Sequence, residues 1–250
     1  MTTHPWYSVF VPRPTASVRV YCLPCAGGSA TMFRPWADWL PPEFELRAIR
    51  MPGRDTRYAL SAFSDFETAG EDLADALGPE LREPYVLFGH SMGGLIGYRL
   101  VQAIERRGLT PPVLYVVAAS LVQGLPVERL PDPAESDERF VEVLRQLGGV
   151  PPEVLADPEV LAFTLPALRA DFGLCRTYTY RPDEPPVRVP LRVLGGVADT
   201  VTPLAHMALW RDHAESFLGL RRFPGGHFFL RDDVAGVVGA LVDDITALAS

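Results

Sequence analysis

The segment that most constrains the fold is Tyr85–Leu100, YVLFGHSMGGLIGYRL. An apolar run ends in Gly89-His90-Ser91-Met92-Gly93 and leads directly into an amphipathic helical pattern. This is a G-x-S-x-G sequence in a strand–turn–helix setting, the context that gives the pattern mechanistic meaning. Such a turn is sharp and strained. Gly89 and Gly93 remove side chains that would collide across it, and Gly94 and Gly97 let the helix pack close to a sheet. Ser91 Oγ is expected above the strand ends, at the positive end of the helix dipole, as an exposed nucleophile.

The rest of the chain supplies a sheet for that turn. Short apolar runs at 18–23, 44–49, 85–89, 113–120, 191–196 and 218–223 read as strands. Most are continuous rather than alternating, as in a parallel sheet covered on both faces. Helices are expected at about 66–82, 92–107, 203–215 and 233–248. This alternation predicts a mostly parallel α/β sheet with right-handed crossovers. Between Leu121 and Pro190 no strand is evident. A helix capped by Ser136 and closed by Gly148-Gly149, and a second over DPEVLAFTLPALRADFGLCRTYTY that Pro166 should break or kink, mark a helical insertion. The chain therefore reads as one domain over 1–250, with 121–185 as a helical lid.

Function classes narrow with composition. The 250 residues carry a formal charge of -8, and all 23 basic residues are arginine. That balance argues against non-specific nucleic-acid binding, which depends on neutralising phosphates. The N-terminal stretch lacks a basic region followed by an apolar run, and no apolar run reaches the ~20 residues of a membrane span. With three cysteines, an odd number, a disulfide framework is not expected. A reduced, soluble, cytoplasmic protein without membrane or nucleic-acid partners is the expectation.

A nucleophilic serine needs a base, and the base an orienting carboxylate, in the chain order Ser, acid, His. His4 lies in the N-terminal tail and His90 inside the turn, while His206 and His213 fall on what reads as a charged, exposed helix. His227 follows RRFPGG after the last strand, where two glycines allow a loop to turn back over the sheet edge. It is the candidate base. Asp199, in LRVLGGVADTVTP after the penultimate strand, is the candidate acid, with helix capping as its competing role. Asp55, Asp65 and Asp171 lie in other connections and are weaker candidates.

Acyl transfer also needs two backbone N–H groups aimed at the developing oxyanion. One would come from Met92, the residue after the nucleophile, and the other from the loop after an early strand. YCLPCAGGS lies there, so the second donor is the amide of Cys25 or Ala26. The Cys22-x-x-Cys25 spacing also suits a dithiol or half a zinc site, but no second ligand pair exists, and a redox motif would open a helix. Cys22 reads as a small buried hydrophobe. No metal or cofactor is expected.

LPCAGGSATMF, MPGRDTR, FGHSMGG, LPALRADF, GVADT and PGGHFFL, in this order, resemble the stand-alone type II thioesterases of polyketide and non-ribosomal peptide assembly lines. The resemblance spans nearly the whole chain. It implies an α/β-hydrolase fold with a helical lid, and Ser91, Asp199 and His227 as nucleophile, acid and base. It further implies hydrolysis of acyl groups from the phosphopantetheine arm of acyl or peptidyl carrier proteins, which would be the partners, with the arm part of the substrate. A serine hydrolase of the same fold acting on acyl-CoA or free esters is the alternative. The family usually has His where this chain has Cys25, a difference that would matter if that side chain meets substrate, and a thiol there could make the enzyme thiol-sensitive. Phe163, Leu165, Leu168, Phe172, Tyr178 and Tyr180 are candidates to line an acyl chamber, against plain packing of the lid.

Overall fold

The computed structural model describes residues 4–82, 84–148 and 150–248. Seven strands form one sheet: β1 (Tyr7–Ser8), β2 (Val18–Leu23), β3 (Phe44–Ile49), β4 (Tyr85–His90), β5 (Leu114–Ala118), β6 (Leu191–Gly196) and β7 (Phe217–Phe223). Their spatial order is β1-β3-β2-β4-β5-β6-β7, parallel throughout except for the antiparallel edge strand β1. Alternate residues of β4 feed two different cores. Tyr85 and Leu87 join α1 (Phe66–Leu77) and α2 (Met92–Arg106) on one face. Val86 and Phe88 join a 3₁₀ helix over Ala30–Asp38 and α8 (Val234–Leu248) on the other. With both faces covered, β4 is apolar without interruption, which is why its sequence shows no alternation.

Helix α1 stops at Leu77, short of the expected 82, because Gly78-Pro79 follows and Pro cannot continue the backbone ladder. The helix expected at 203–215 is two short pieces, α6 (Leu204–Met207) and a 3₁₀ turn over Ala208–His213. The last expected helix is likewise divided into α7 (Phe229–Asp232) and α8. The insertion between β5 and β6 holds α3 (Asp137–Leu147), α4 (Pro152–Ala156) and α5 (Pro158–Arg176). Ser136 caps α3 by accepting from Arg139 N–H at 3.3 Å, as expected, and Gly148 ends it in the left-handed region; Gly149 lies outside the described residues. Pro166 does not break α5. It lies on the exposed side, and the carbonyl of Ala162 that loses its helical donor also belongs to an exposed residue, where water can replace the bond.

Candidate active site

Ser91 sits between β4 and α2 with φ 54° and ψ -117°, a conformation that costs about 1–3 kcal/mol unless its surroundings enforce it. They do. Ser91 N–H donates to Ala118 O on β5 at 2.8 Å, and Gly94 N–H donates to Ser91 O at 2.9 Å. A Cβ on Gly89 would overlap the backbone of Gly93, and one on Gly93 would overlap the Leu23 carbonyl. The turn therefore closes only with glycine at both positions. Ser91 holds the N-cap position of α2, yet its hydroxyl makes no capping bond. It faces His227 instead.

The loops after β6 and β7 run side by side. Val197 N–H donates to Phe223 O and Ala198 N–H to Gly225 O, each at 2.9 Å. That pairing brings Asp199 and His227 together at the strand ends. His227 Nε2 lies 3.0 Å from Ser91 Oγ, and His227 Nδ1 lies 2.9 Å from Asp199 Oδ2. The other Asp199 oxygen accepts from Val201 N–H at 2.8 Å and Thr202 N–H at 3.0 Å, while Thr202 Oγ1 donates to Oδ2 at 2.5 Å. Asp199 thus fills both roles weighed for it, capping the following segment and orienting the imidazole. Burial alone would raise its carboxyl pKa; the hydrogen bond and charge of His227, with Thr202, hold it below the usual value.

Ser91, Met92 and Ala26 line one pocket with His227. Its remaining wall is largely apolar, with Leu95, Leu121, Leu130, Leu147 and Phe172. Cys25 lines a second groove instead, which meets the pocket at Ala26 and runs past Leu168, Phe228 and Arg231. Both positions named for the second amide thus border the site, but only Ala26 borders the pocket that holds Ser91. Burial is the first cause that pushes the Cys25 thiol up to about 12, with the nearby Asp171 charge acting in the same direction. Cys22 is fully buried in β2, as expected.

Several expectations for the insertion need correction. Of the six residues proposed to line a chamber, only Phe172 borders the Ser91 pocket, and Leu168 borders the adjoining groove. Phe163 is 85% exposed, because α5 turns that face to solvent. Leu165 packs against the main core. Tyr178 packs against Phe66 and donates to Val122 O at 2.7 Å, and Tyr180 meets His213 at 3.1 Å. His213 is buried, not solvated, since the 3₁₀ turn points it inward against Trp210 and Tyr98. His206 is exposed as expected. Asp65 caps α1 by accepting from Thr68 N–H, Asp55 opens a short 3₁₀ turn, and Asp171 pairs with Arg54, while His227 takes Asp199.

The position of His90 in the turn excludes it as the base. Its ring is fully buried, and its Nε2 meets the His227 carbonyl at 2.9 Å. A carbonyl only accepts, so Nε2 carries the proton. Arg231 carries no sequence signal either. Arg231, in the wall of the groove, donates to Glu153 on α4 at 2.7 Å.

A serine hydroxyl, an imidazole and a buried carboxylate in this order can move one proton and form an acyl-enzyme. Comparison with known proteins gives the family. The chain matches the family described as "Thioesterase domain" over residues 18–247. It is 33% identical to the gramicidin S biosynthesis protein GrsT of Aneurinibacillus migulanus, over 90% of this chain and 88% of that one. Thioesterase PikA5 of Streptomyces venezuelae is 36% identical, over 91% of this chain and 80% of that protein. Among solved structures, YbtT, a type II thioesterase from the yersiniabactin pathway, superposes with a TM-score of 0.85 at 27% identity, covering 98% and 100% of the two chains. The architecture these proteins share is the α/β-hydrolase fold, and a match spanning nearly every strand, the elbow and both loops of the relay means that the chain belongs to the thioesterase family.

Proposed function

We propose that this protein hydrolyses acyl thioesters carried on the phosphopantetheine arm of acyl or peptidyl carrier proteins, clearing stalled or aberrant groups from a polyketide or non-ribosomal peptide assembly line. The observation that carries the chemistry is the unbroken Ser91–His227–Asp199 relay opening into an apolar pocket. The relatives that carry the pathway are named for such biosynthesis.

In this reading Ser91 Oγ attacks the thioester carbonyl carbon while His227 Nε2 takes the hydroxyl proton. Asp199 holds the ring through Nδ1 and stabilises the imidazolium. The oxyanion is received by the amides of Met92 and Ala26. Met92 opens α2, where backbone N–H groups lack helical partners, and no protein acceptor takes the Ala26 N–H among the described residues. Collapse breaks the C–S bond, and His227 returns its proton to the departing pantetheine thiolate. Water then attacks the acyl-enzyme, giving a proton to His227, which passes it to Ser91 Oγ as the acyl–oxygen bond breaks and the acid is freed.

The pocket beside Ser91 takes the acyl chain, and the groove beyond Ala26 takes the arm. The insertion forms the lid over both. No metal or redox cofactor enters the scheme.

The test compares hydrolysis of the same acyl groups on a phosphopantetheinylated carrier protein, on N-acetylcysteamine and as simple esters, with Ser91→Ala as control. Faster turnover on the carrier, lost in the variant, is the expected outcome. Equal or better turnover of small esters would overturn the assembly-line reading and leave a general serine hydrolase.

A further inference from the structure

Three stretches that lie outside the Ser–His–Asp relay, CAGG after β2, MPGR after β3 and LRAD in α5, meet at one buried carboxylate. Asp171 is 2% exposed. Its Oδ2 accepts from Gly27 N–H at 2.7 Å and from Arg54 Nη1 at 2.6 Å, and its Oδ1 accepts from Arg54 Nη2. The same Arg54 Nη1 donates to Gly28 O at 2.8 Å. Both partners are buried, so the pair is desolvated, and it spans the oxyanion loop, the loop after β3 and the insertion helix.

The object being held is a tight turn. Gly28 N–H donates to Cys25 O at 2.9 Å, and Gly27, at the third position, has φ +69°, the pattern of a type II turn. In that turn the Gly27 N–H and the Ala26 carbonyl point to opposite sides. Rotating the central peptide would take the Gly27 N–H off Asp171 and swing the Ala26 carbonyl toward it. A carboxylate at that point favours the first arrangement and repels the second. Of the three amides of Ala26, Gly27 and Gly28, those of Gly27 and Gly28 are taken up by Asp171 and Cys25. The Ala26 amide is the one left to face the pocket.

We propose that Asp171, paired with Arg54, is a positioning residue for the oxyanion site, which fixes the turn presenting the Ala26 amide and makes that site depend on the docking of α5. This rests on the acyl-transfer reading of Ser91. The same helix supplies Phe172 and Cys175 to the wall of the acyl pocket. Closing the acyl chamber and completing the oxyanion site are therefore one docking event, not two. Leu168, a turn earlier on α5, packs so closely on Gly27 that a Cβ there would overlap it.

The test uses the full chain with an acyl-N-acetylcysteamine thioester and an alkyl boronic acid, which adds to Ser91 as a tetrahedral anion. Asp171→Asn removes the charge while nearly keeping the shape. It is expected to lower kcat by about ten- to a hundredfold, within the range for a weakened oxyanion donor. KM should stay within about twofold, and the boronate should lose affinity by a factor similar to the loss in kcat. Arg54→Lys keeps a positive charge but cannot bond Asp171 and Gly28 together in a fork. It should show the same paired losses, smaller in size, and it carries the test if Asp171→Asn does not fold. A fall in thermal midpoint with kcat and boronate affinity unchanged would overturn the proposal, as would a loss confined to KM. Failure of the acyl-transfer reading is separately visible: Ser91→Ala would then leave thioester hydrolysis intact. Loss of the carrier-protein reading would not affect this experiment, which uses no carrier.

Discussion

His90 donates from Nε2 to the main-chain carbonyl of His227 at 2.9 Å, so the residue before the nucleophile holds the loop that carries the base. The two rings lie 5.2 Å apart between centroids. A cation at His90 would therefore sit beside the imidazolium that forms on His227 during the reaction. Burial, and then the nearby His227, push the His90 pKa down to about 3. Its neutral form leaves His227 free to carry the charge.

A stability prediction follows from that shift. A histidine whose folded pKa is depressed contributes nothing adverse above its unfolded value near 6.5. As pH falls from there toward about 3, the unfolded chain binds a proton that the folded chain does not, and stability is lost. The loss by pH 4 is on the order of a few kcal/mol. His213 and His4, also depressed, slope in the same direction. His90→Gln offers an N–H donor without a titrating ring, so its unfolding free energy should fall less steeply between pH 6.5 and 4 than that of the wild type. Denaturant melts at several pH values measure it; parallel slopes would refute the assignment.

Asp199→Asn should separate catalysis from folding. The variant keeps an oxygen for the Val201 and Thr202 amides but presents an amide to the imidazole, where it favours the wrong tautomer. By analogy with other Ser–His–Asp hydrolases, kcat should drop by about 10⁴-fold. The thermal midpoint near neutral pH should move by only a few degrees. An activity loss under tenfold would remove Asp199 from the relay.

What was legible in the sequence follows from where the forces are local. The strained turn at Ser91 advertises itself through Gly89 and Gly93, because close backbone approach demands glycine at fixed spacing. His227 and Asp199 are legible because loops after strands leave few titratable residues to choose from. β1 leaves no sequence signal because two residues cannot display a period, and its place is set by pairing Tyr7 with Ile49. A continuous helix would leave His213 on an exposed surface, but the break after Met207 turns it inward. The Arg54–Asp171 pair was invisible for a different reason. Its partners are 117 residues apart, and nothing in either stretch signals the other.

The buried thiol beside the active site should be inert. Cys25 is 5% exposed and its pKa is raised to about 12, so at neutral pH almost none of it is the reactive thiolate. Native protein treated with iodoacetamide at pH 7.5 should retain full activity, and peptide mass analysis should find Cys25 unmodified. Both cysteines of YCLPC should react after denaturation. Loss of activity matched by carbamidomethylation of native Cys25 would restore the thiol-sensitivity expected from its position.

The acyl pocket predicts where chain-length preference can be altered. Leu130 and Leu147 line it, and both are nearly fully buried. Neither belongs to the hydrogen-bonded relay. Leu130→Phe adds bulk to a packed wall, which costs about 1–3 kcal/mol if the extra volume is forced into the core, and less if it projects into the pocket. In the second case a long acyl chain pays a steric cost that a short one does not. For the variant, kcat/KM should fall about tenfold or more for an octanoyl thioester and stay within about twofold for an acetyl thioester. The ratio of the two, measured on N-acetylcysteamine carriers, isolates the pocket from any effect on the catalytic groups. A uniform fall for both chains would mean that this wall supports the relay instead of receiving the acyl group.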